Sequence, residues 1–445
     1  MKKILPIFTL LFVFCLLLTA RADELKNPTA LNIQRTMKAL EESTAENPAH
    51  VRIMFYGQSI VAQQWTGIIQ KKFQEKYPTV KFTFVNKAIG GFSSERLVRT
   101  AEEDLFPWYP DLIFFHVYGS LEKYEEIVKN IRERTSAEII LWTSHLSRAH
   151  SAKEMSEKRD ERSLGIMEVA KKYDTMFVDL NQKWYKMLLE RNKEAGELLV
   201  DTVHLNSQGV ELYAQYLWEE IVRVPGTSGT EASGKIQTIS LDDPAVKKNA
   251  DGSMELTFTG NRVCAVSNGK GAEGASATIL LDGKNPAEFK ELWTHTRPST
   301  TCSWMPAICT IGWNVPLVKE DWELHALPDS EKDGSKIHYT VKGSVTGEDG
   351  EGWSNADFTS KSGRVTILAS DYQVGQHKYF KVPLKDDYVV KWSSEPLYAD
   401  PFKPAADGER VLLLENCENG THTLTILPKD GDLGIGAFEI NTPKK

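Results

Sequence analysis

The sequence predicts an α/β domain built as a three-layer, doubly wound parallel sheet, followed by an all-β sandwich of roughly jelly-roll type. Three observations carry that prediction. Apolar strand-like runs alternate with helical segments over residues 51–222, as in a parallel sheet covered by helices on both faces. The alternation stops at residues 225–235, whose Gly, Ser and Thr content is that of a linker. Beyond it come short runs of alternating polarity, separated by the turn signals Asp251-Gly252, Asp282-Gly283 and Asn419-Gly420.

In chain order, the first 22 residues stand apart. Lys2 and Lys3 precede an apolar run over 4–18, and Ala20-Arg21-Ala22 is a small-x-small cleavage site, which together read as a secretory signal peptide. Cys15 lacks the small residue that precedes a lipidated cysteine, so cleavage after Ala22 is expected. The α/β domain then occupies 23–224. A short helix over 31–42 leads to a strand over 51–56, almost continuously apolar as a doubly covered strand should be. Gly57 permits a turn, and Ser59 is expected at the start of a helix running to about 76. Further strands are expected over 80–85, 112–117, 138–142 and 176–179, and helices over 121–134, 154–173, 182–191 and 207–222. The β domain, 236–445, shows strand-like runs at 254–259, 277–282, 336–341, 363–368, 410–415 and 422–427.

The formal net charge is −8, and losing Lys2, Lys3 and Arg21 with the leader takes it to −11. An acidic exported chain is a poor partner for nucleic acid or anionic membrane, and no later segment is apolar enough to span a bilayer. Cys264, Cys302, Cys309 and Cys417 remain after cleavage, enough for two disulfides in an oxidising compartment. They contain no Cys-x-x-Cys pair, so no metal is expected, and no cofactor is implied. Oligomeric state is not readable.

The chemistry centres on Asp201-x-x-His204. That spacing lets the carboxylate hold the imidazole Nδ1 proton and leaves Nε2 free as a base. A serine hydroxyl is a weak nucleophile until such a base is within reach. Ser59, at the carboxyl end of the first strand, lies where open α/β sheets bind ligands. Ser59, Asp201 and His204 thus form a candidate catalytic triad.

These motifs resemble the SGNH (GDSL-type) hydrolase superfamily over residues 50–222. Gly57-Gln58-Ser59 is similar to the family's Gly-Asp-Ser turn, with Gln for Asp, and Asp201-x-x-His204 matches its last block. The resemblance implies an SGNH/flavodoxin-like fold, a carbohydrate-esterase-like activity, and an oxyanion donor in the stretch Asn86 to Gly91, either Gly91 or Gly90. It also exposes a departure. The family's third block supplies an Asn donor after the third strand. Here Ser120 falls on that position without a gap, or Leu121 with a one-residue shift. A lost oxyanion donor costs about 3–4 kcal/mol.

Further candidates for substrate contact or acid–base work are His116 and His145, at strand ends, Arg96 and Arg99, able to grip a carboxylate, and Gln58. Trp65 is expected to pack on the first helix. The β domain carries Trp293, Trp304, Trp313, Trp322, Trp353 and Trp392, any exposed one of which would suit a sugar ring. The leading expectation is an exported serine esterase removing acetyl or other acyl groups from a polysaccharide or oligosaccharide. The alternatives are a lyase or dehydratase acting by proton abstraction on uronic-acid-containing oligosaccharides, and a non-catalytic glycan-binding protein.

Overall fold

The computed structural model describes residues 32–148, 160–226, 233–299, 304–381, 384 and 387–444. The expected leader, most of the linker and Cys302 lie outside them. The chain enters through α1 (Gln34–Glu42), then alternates β1 (His50–Gly57), α2 (Trp65–Lys76), β2 (Lys81–Asn86), α3 (Ser94–Asp104), β3 (Leu112–His116), α4 (Leu121–Arg134), β4 (Glu138–Trp142), α5 (Glu161–Lys172), β5 (Met176–Val178), α6 (Leu180–Glu190) and α7 (Ser207–Ile221). The five strands form one parallel sheet in the order β2-β1-β3-β4-β5. The chain winds one way from β1 to β2 and the other way from β3 onward, so the carboxyl end of β1 is the topological switch point.

Period-two alternation in β1 feeds both faces of the sheet. Val51, Ile53 and Phe55 join Trp65, Trp142 and Tyr213 in one core, under α1, α2, α6 and α7. Met54 and Tyr56 join Leu97, Ile127 and Ile166 in the other, under α3, α4 and α5. The helix after Ser59 departs from expectation. Residues 58–64 form turns, with the Val61 and Ala62 N–H groups both donating to the Gln58 carbonyl, and α2 begins only at Trp65. Ser59 is therefore no helix cap. Asn86 holds the turn by donating to the Val61 carbonyl at 2.9 Å, a tertiary tie that local propensity does not contain.

The second region is antiparallel. Its strands are β6 (Lys235–Ser240), β7 (Val246–Lys248), β8 (Met254–Ser267), β9 (Ser276–Leu281), β10 (Trp293–His295), β11 (Glu320–Ala326), β12 (His338–Gly343), β13 (Gly347–Trp353), β14 (Phe358–Thr359) and β15 (Thr366–Ile367). A short helix, α8 (Gly375–Phe380), is followed by β16 (Val389–Pro396), β17 (Arg410–Asp430) and β18 (Ile435–Thr442). They build a six-stranded sheet, β6-β18-β8-β17-β9 with β7 on β8, and a five-stranded sheet, β10-β16-β11-β12-β13, each with its own apolar core. The two runs expected at 410–415 and 422–427 are one strand. Asn419-Gly420 belongs to a bulge rather than a hairpin turn, because the long β8 pairs with β17 on both sides of it. Cys264, Cys309 and Cys417 are buried free thiols. The expected disulfides are therefore absent among the described residues.

The two regions share a buried seam. Met305 and Cys309 pack into the α/β core against residues such as Ile89 and Phe92. At the end of α3, the fully buried Asp104 takes a forked ion pair from Arg297, at 2.8 Å from Nε and 2.6 Å from Nη2. Beside it, buried Glu103 accepts from the Thr310 hydroxyl (2.5 Å) and the Ile311 N–H (2.9 Å). Burial holds the Glu103 carboxyl well above the usual carboxylate range. Removing one partner of a buried pair leaves an uncompensated charge. Arg297→Ala is expected to destabilise the protein by about 3 kcal/mol in urea unfolding, Lys87 at 3.5 Å being the only other cation on Asp104 among the described residues. A loss below about 1 kcal/mol would show that the pair behaves like a surface one.

Candidate active site

Beside the turn that carries Ser59, two strands of the sheet approach closely. Gly57 pairs with His116, and a Cβ at Gly57 would collide with the His116 carbonyl. The chain turns out of the sheet at this point and carries Ser59, half-buried, to its carboxyl edge. From the far end of the domain, the loop before α7 brings His204 to it. Ser59 Oγ lies 2.8 Å from His204 Nε2, and His204 Nδ1 lies 2.7 Å from Asp201 Oδ2. The carboxylate accepts the Nδ1 proton, so Nε2 is left to accept from the serine hydroxyl.

Asp201 does more than orient the ring. Its Oδ1 accepts the N–H groups of Val203 (2.8 Å) and His204 (2.7 Å), which ties the loop into a tight turn. Those two backbone bonds, followed by the His204 side chain, hold the carboxyl far below its ordinary range. It therefore stays anionic at any pH at which the site would work. Two residues outside the motif hold this loop in place. Gln63 donates to the Leu205 carbonyl at 3.0 Å and accepts the Leu205 N–H at 3.2 Å, clamping the loop to the nucleophile turn. His145 donates from Nε2 to the Val203 carbonyl at 2.7 Å. Nothing in the sequence marks Gln63, because a glutamine in a polar turn is unremarkable until its partner is known.

On the other side of Ser59, the chain beyond β2 keeps pairing with β1, the Ile89 N–H donating to the Gly57 carbonyl at 2.9 Å. This brings Gly90 beside Ser59: a Cβ there would stand 3.8 Å from Ser59 Cβ. Gly91 has φ of 81°, a left-handed conformation that glycine adopts without strain. Neither the Ser59 nor the Gly91 N–H finds an acceptor among the described residues.

The remaining candidates fare differently. Ser120 is the N-cap of α4: its Oγ accepts the Lys123 N–H, and its own N–H goes to Glu95. Leu121 is the first residue of that helix. Tyr118, two residues beyond β3, lines a cavity of about 700 Å³ together with Ser144, His145, Arg162, Thr202 and Val203. His116 is fully buried, flat against Trp142, with Nε2 3.0 Å from Ser144 Oγ. Arg99 is committed across the seam to Asp371, at 3.0 and 2.8 Å. Arg96 is exposed with its guanidinium over Phe92. Gln58 is buried, and neither of its amide atoms has a hydrogen-bond partner among the described residues. Trp65 lies in the core, donating to the Ile60 carbonyl. No group of His, Cys, Asp and Glu among the described residues is arranged to hold a metal ion, and no helix among them is long and apolar enough to cross a membrane.

Burial pushes His116 down to about 3 and His145 down to about 4. Both stay neutral in the folded protein while an unfolded histidine protonates near pH 6.5 (about 6.5 for a free side chain). Below that pH the unfolded chain binds protons that the native state refuses, so stability is full above it and falls toward about pH 4. The slope is about 1.4 kcal/mol per pH unit for each group. Unfolding free energy from urea titrations is expected to drop by roughly 3–4 kcal/mol between pH 7 and 5. A flat profile over that interval would refute the buried neutral state of the pair.

No protein-family model matches the chain, and no curated protein matches it. Among solved structures, a two-domain esterase (CEX) active on acetylated mannans is 15% identical, with a TM-score of 0.39 over 93% of this chain and 96% of that one. Axe2, an acetylxylan esterase from Geobacillus stearothermophilus, is 20% identical, with a TM-score of 0.34 over 40% of this chain and 96% of that one. Both likenesses are loose.

Proposed function

We propose that this protein is a serine esterase that removes acetyl or other small acyl groups from an oligosaccharide or polysaccharide. The observation that carries the reading is the continuous hydrogen-bonded line from Ser59 through His204 to Asp201, at 2.8 and 2.7 Å. Ser59 Oγ attacks the ester carbonyl while His204 Nε2 takes its proton. The oxyanion that forms is held by the Ser59 and Gly91 N–H groups, two donors being worth more in this half-buried edge than in water. Collapse of the intermediate breaks the bond to the sugar oxygen, which leaves with the proton from His204. Water then attacks the acyl-enzyme, giving one proton to His204. The acid departs as Ser59 recovers that proton.

The carbohydrate half of the reading rests on the SGNH resemblance and on the tryptophan-rich β region. No observation favours elimination. His116 and His145 are buried and neutral, and the Arg99 guanidinium is committed to Asp371.

Ser59→Ala and His204→Ala are each expected to lower kcat/KM on 4-nitrophenyl acetate by at least about 1000-fold, and Asp201→Asn by about 1000- to 10,000-fold, with unfolding midpoints little changed. Retention of more than about a tenth of wild-type activity by Ser59→Ala would sink the acyl-enzyme route.

Export is part of the proposal, supported by the leader composition of residues 1–22. Protein expressed from the full chain in a bacterial host is expected in the periplasm or medium with Asp23 as its first residue. Recovery from the cytoplasm with Met1 intact would contradict it.

A further inference from the structure

The hydrogen-bonded line from Ser59 to Asp201 joins two pieces of chain that are each held by separate bonds. In the base loop, Asp201 Oδ1 takes the Val203 and His204 N–H groups, so acid and base form one body. The Val200 N–H donates to the His204 carbonyl and the Asn206 N–H to the Leu198 carbonyl, flanking an antiparallel bridge between Leu199 and Leu205. From the β4 side, the Arg148 N–H and the His145 ring hold the carbonyls of Thr202 and Val203. The nucleophile turn has its own ties, to the carbonyls of Gln58 and Ile60 within it and to Asn86.

Neither set of bonds spans the gap between the two bodies. Among the described residues, hydrogen bonds cross from residues 58–64 to residues 199–206 at two places. One is Ser59 with His204, and the other is Gln63 with Leu205. The second is built by the bridge. Because the bonds on either side of Leu199 and Leu205 come from their neighbours, Leu205 turns its own N–H and C=O the other way. One side-chain amide meets both, Gln63 Nε2 donating to the carbonyl at 3.0 Å and Oε1 accepting the N–H at 3.2 Å. A peptide N–H only donates and a peptide carbonyl only accepts, so the partner must do both. A neutral amide does; a carboxylate has no proton to give.

We propose that Gln63 is a positioning residue that sets the distance between the Ser59 hydroxyl and the His204 base, and that its neutral amide is what does so. This rests on the esterase reading and names the step served, in which the Ser59 O–H proton passes to His204 Nε2 as Oγ bonds to the acyl carbon. The Asp201–His204 contact does not depend on Gln63, because both residues belong to one loop.

The test uses two variants of similar size. Gln63→Met removes both bonds, and Gln63→Glu can donate only when protonated. On 4-nitrophenyl acetate, Gln63→Met is expected to lower kcat and kcat/KM together by about 10- to 100-fold, with KM within about twofold. Unchanged kcat, or a loss carried by KM alone, would overturn the proposal. For Gln63→Glu, the ratio of its kcat to that of wild type cancels the titration of His204. That ratio is expected to rise at least about threefold from pH 8 to pH 5, as the carboxyl gains the proton it needs to donate. A flat or falling ratio would show that the amide only fills space. Nitrogen-15 NMR of the His204 ring needs no turnover and so separates this from the esterase reading. In Gln63→Met the Nε2 resonance is expected to move to its position in Ser59→Ala, while the Nδ1 proton on Asp201 keeps its wild-type shift. If wild type cleaves no ester, the esterase reading fails, and this pair of signals still upholds the positioning. An unmoved Nε2 resonance, or loss of the Nδ1 proton signal, would remove it.

Discussion

The close approach of β1 and β3 at Gly57 and His116 governs the site. No side chain fits at position 57, because the neighbouring carbonyl occupies the space a Cβ would need. Only glycine can hold that place, and β1 ends at it, two positions before Ser59. The same edge receives the extension of β2 on one side and the loop before α7 on the other. Ser59, His204 and the glycine pair Gly90–Gly91 meet there although they come from different parts of the domain. The sheet order that creates a switch point at β1 makes this edge a crevice rather than a wall.

Charge burial does for the two regions what packing does for the sheet. Glu103 and Asp104 end α3 with their carboxyls out of water, and both turn toward the β region for partners. Neither would be tolerable in an isolated α/β domain without new partners or a proton. The seam is thus written into the α/β domain itself, and the β region is joined to it by polar complementarity as well as by Met305 and Cys309.

Much of this was legible in the residues. The strands at β1 and β4 and the helix α4 follow from apolar runs and caps, and the Asp201-x-x-His204 spacing leads directly to the hydrogen bond observed. What was illegible depended on partners distant in sequence. Arg99 looks like a free carboxylate clamp until Asp371, 272 residues away, takes it. The stretch after Ser59 has helical composition, but Asn86 and Gln63 make its carbonyls and amides serve the site instead. Ser120 lies where an oxyanion donor was sought, yet its hydrogen bonds belong to a helix start. Asn419-Gly420 carries a strong hairpin signal that the uninterrupted pairing with β8 overrides. Exposure is a tertiary property, so six tryptophans in the β region look alike in sequence, although Trp304 is 59% exposed and Trp322 is buried.

The three buried thiols have a redox consequence. Burial raises all of them and pushes Cys417 up to about 12, so at neutral pH that group is held as the thiol. Thiolate, not thiol, attacks disulfides and oxidants. Folding therefore shields Cys264, Cys309 and Cys417 from thiol exchange by taking them out of water and disfavouring their reactive form.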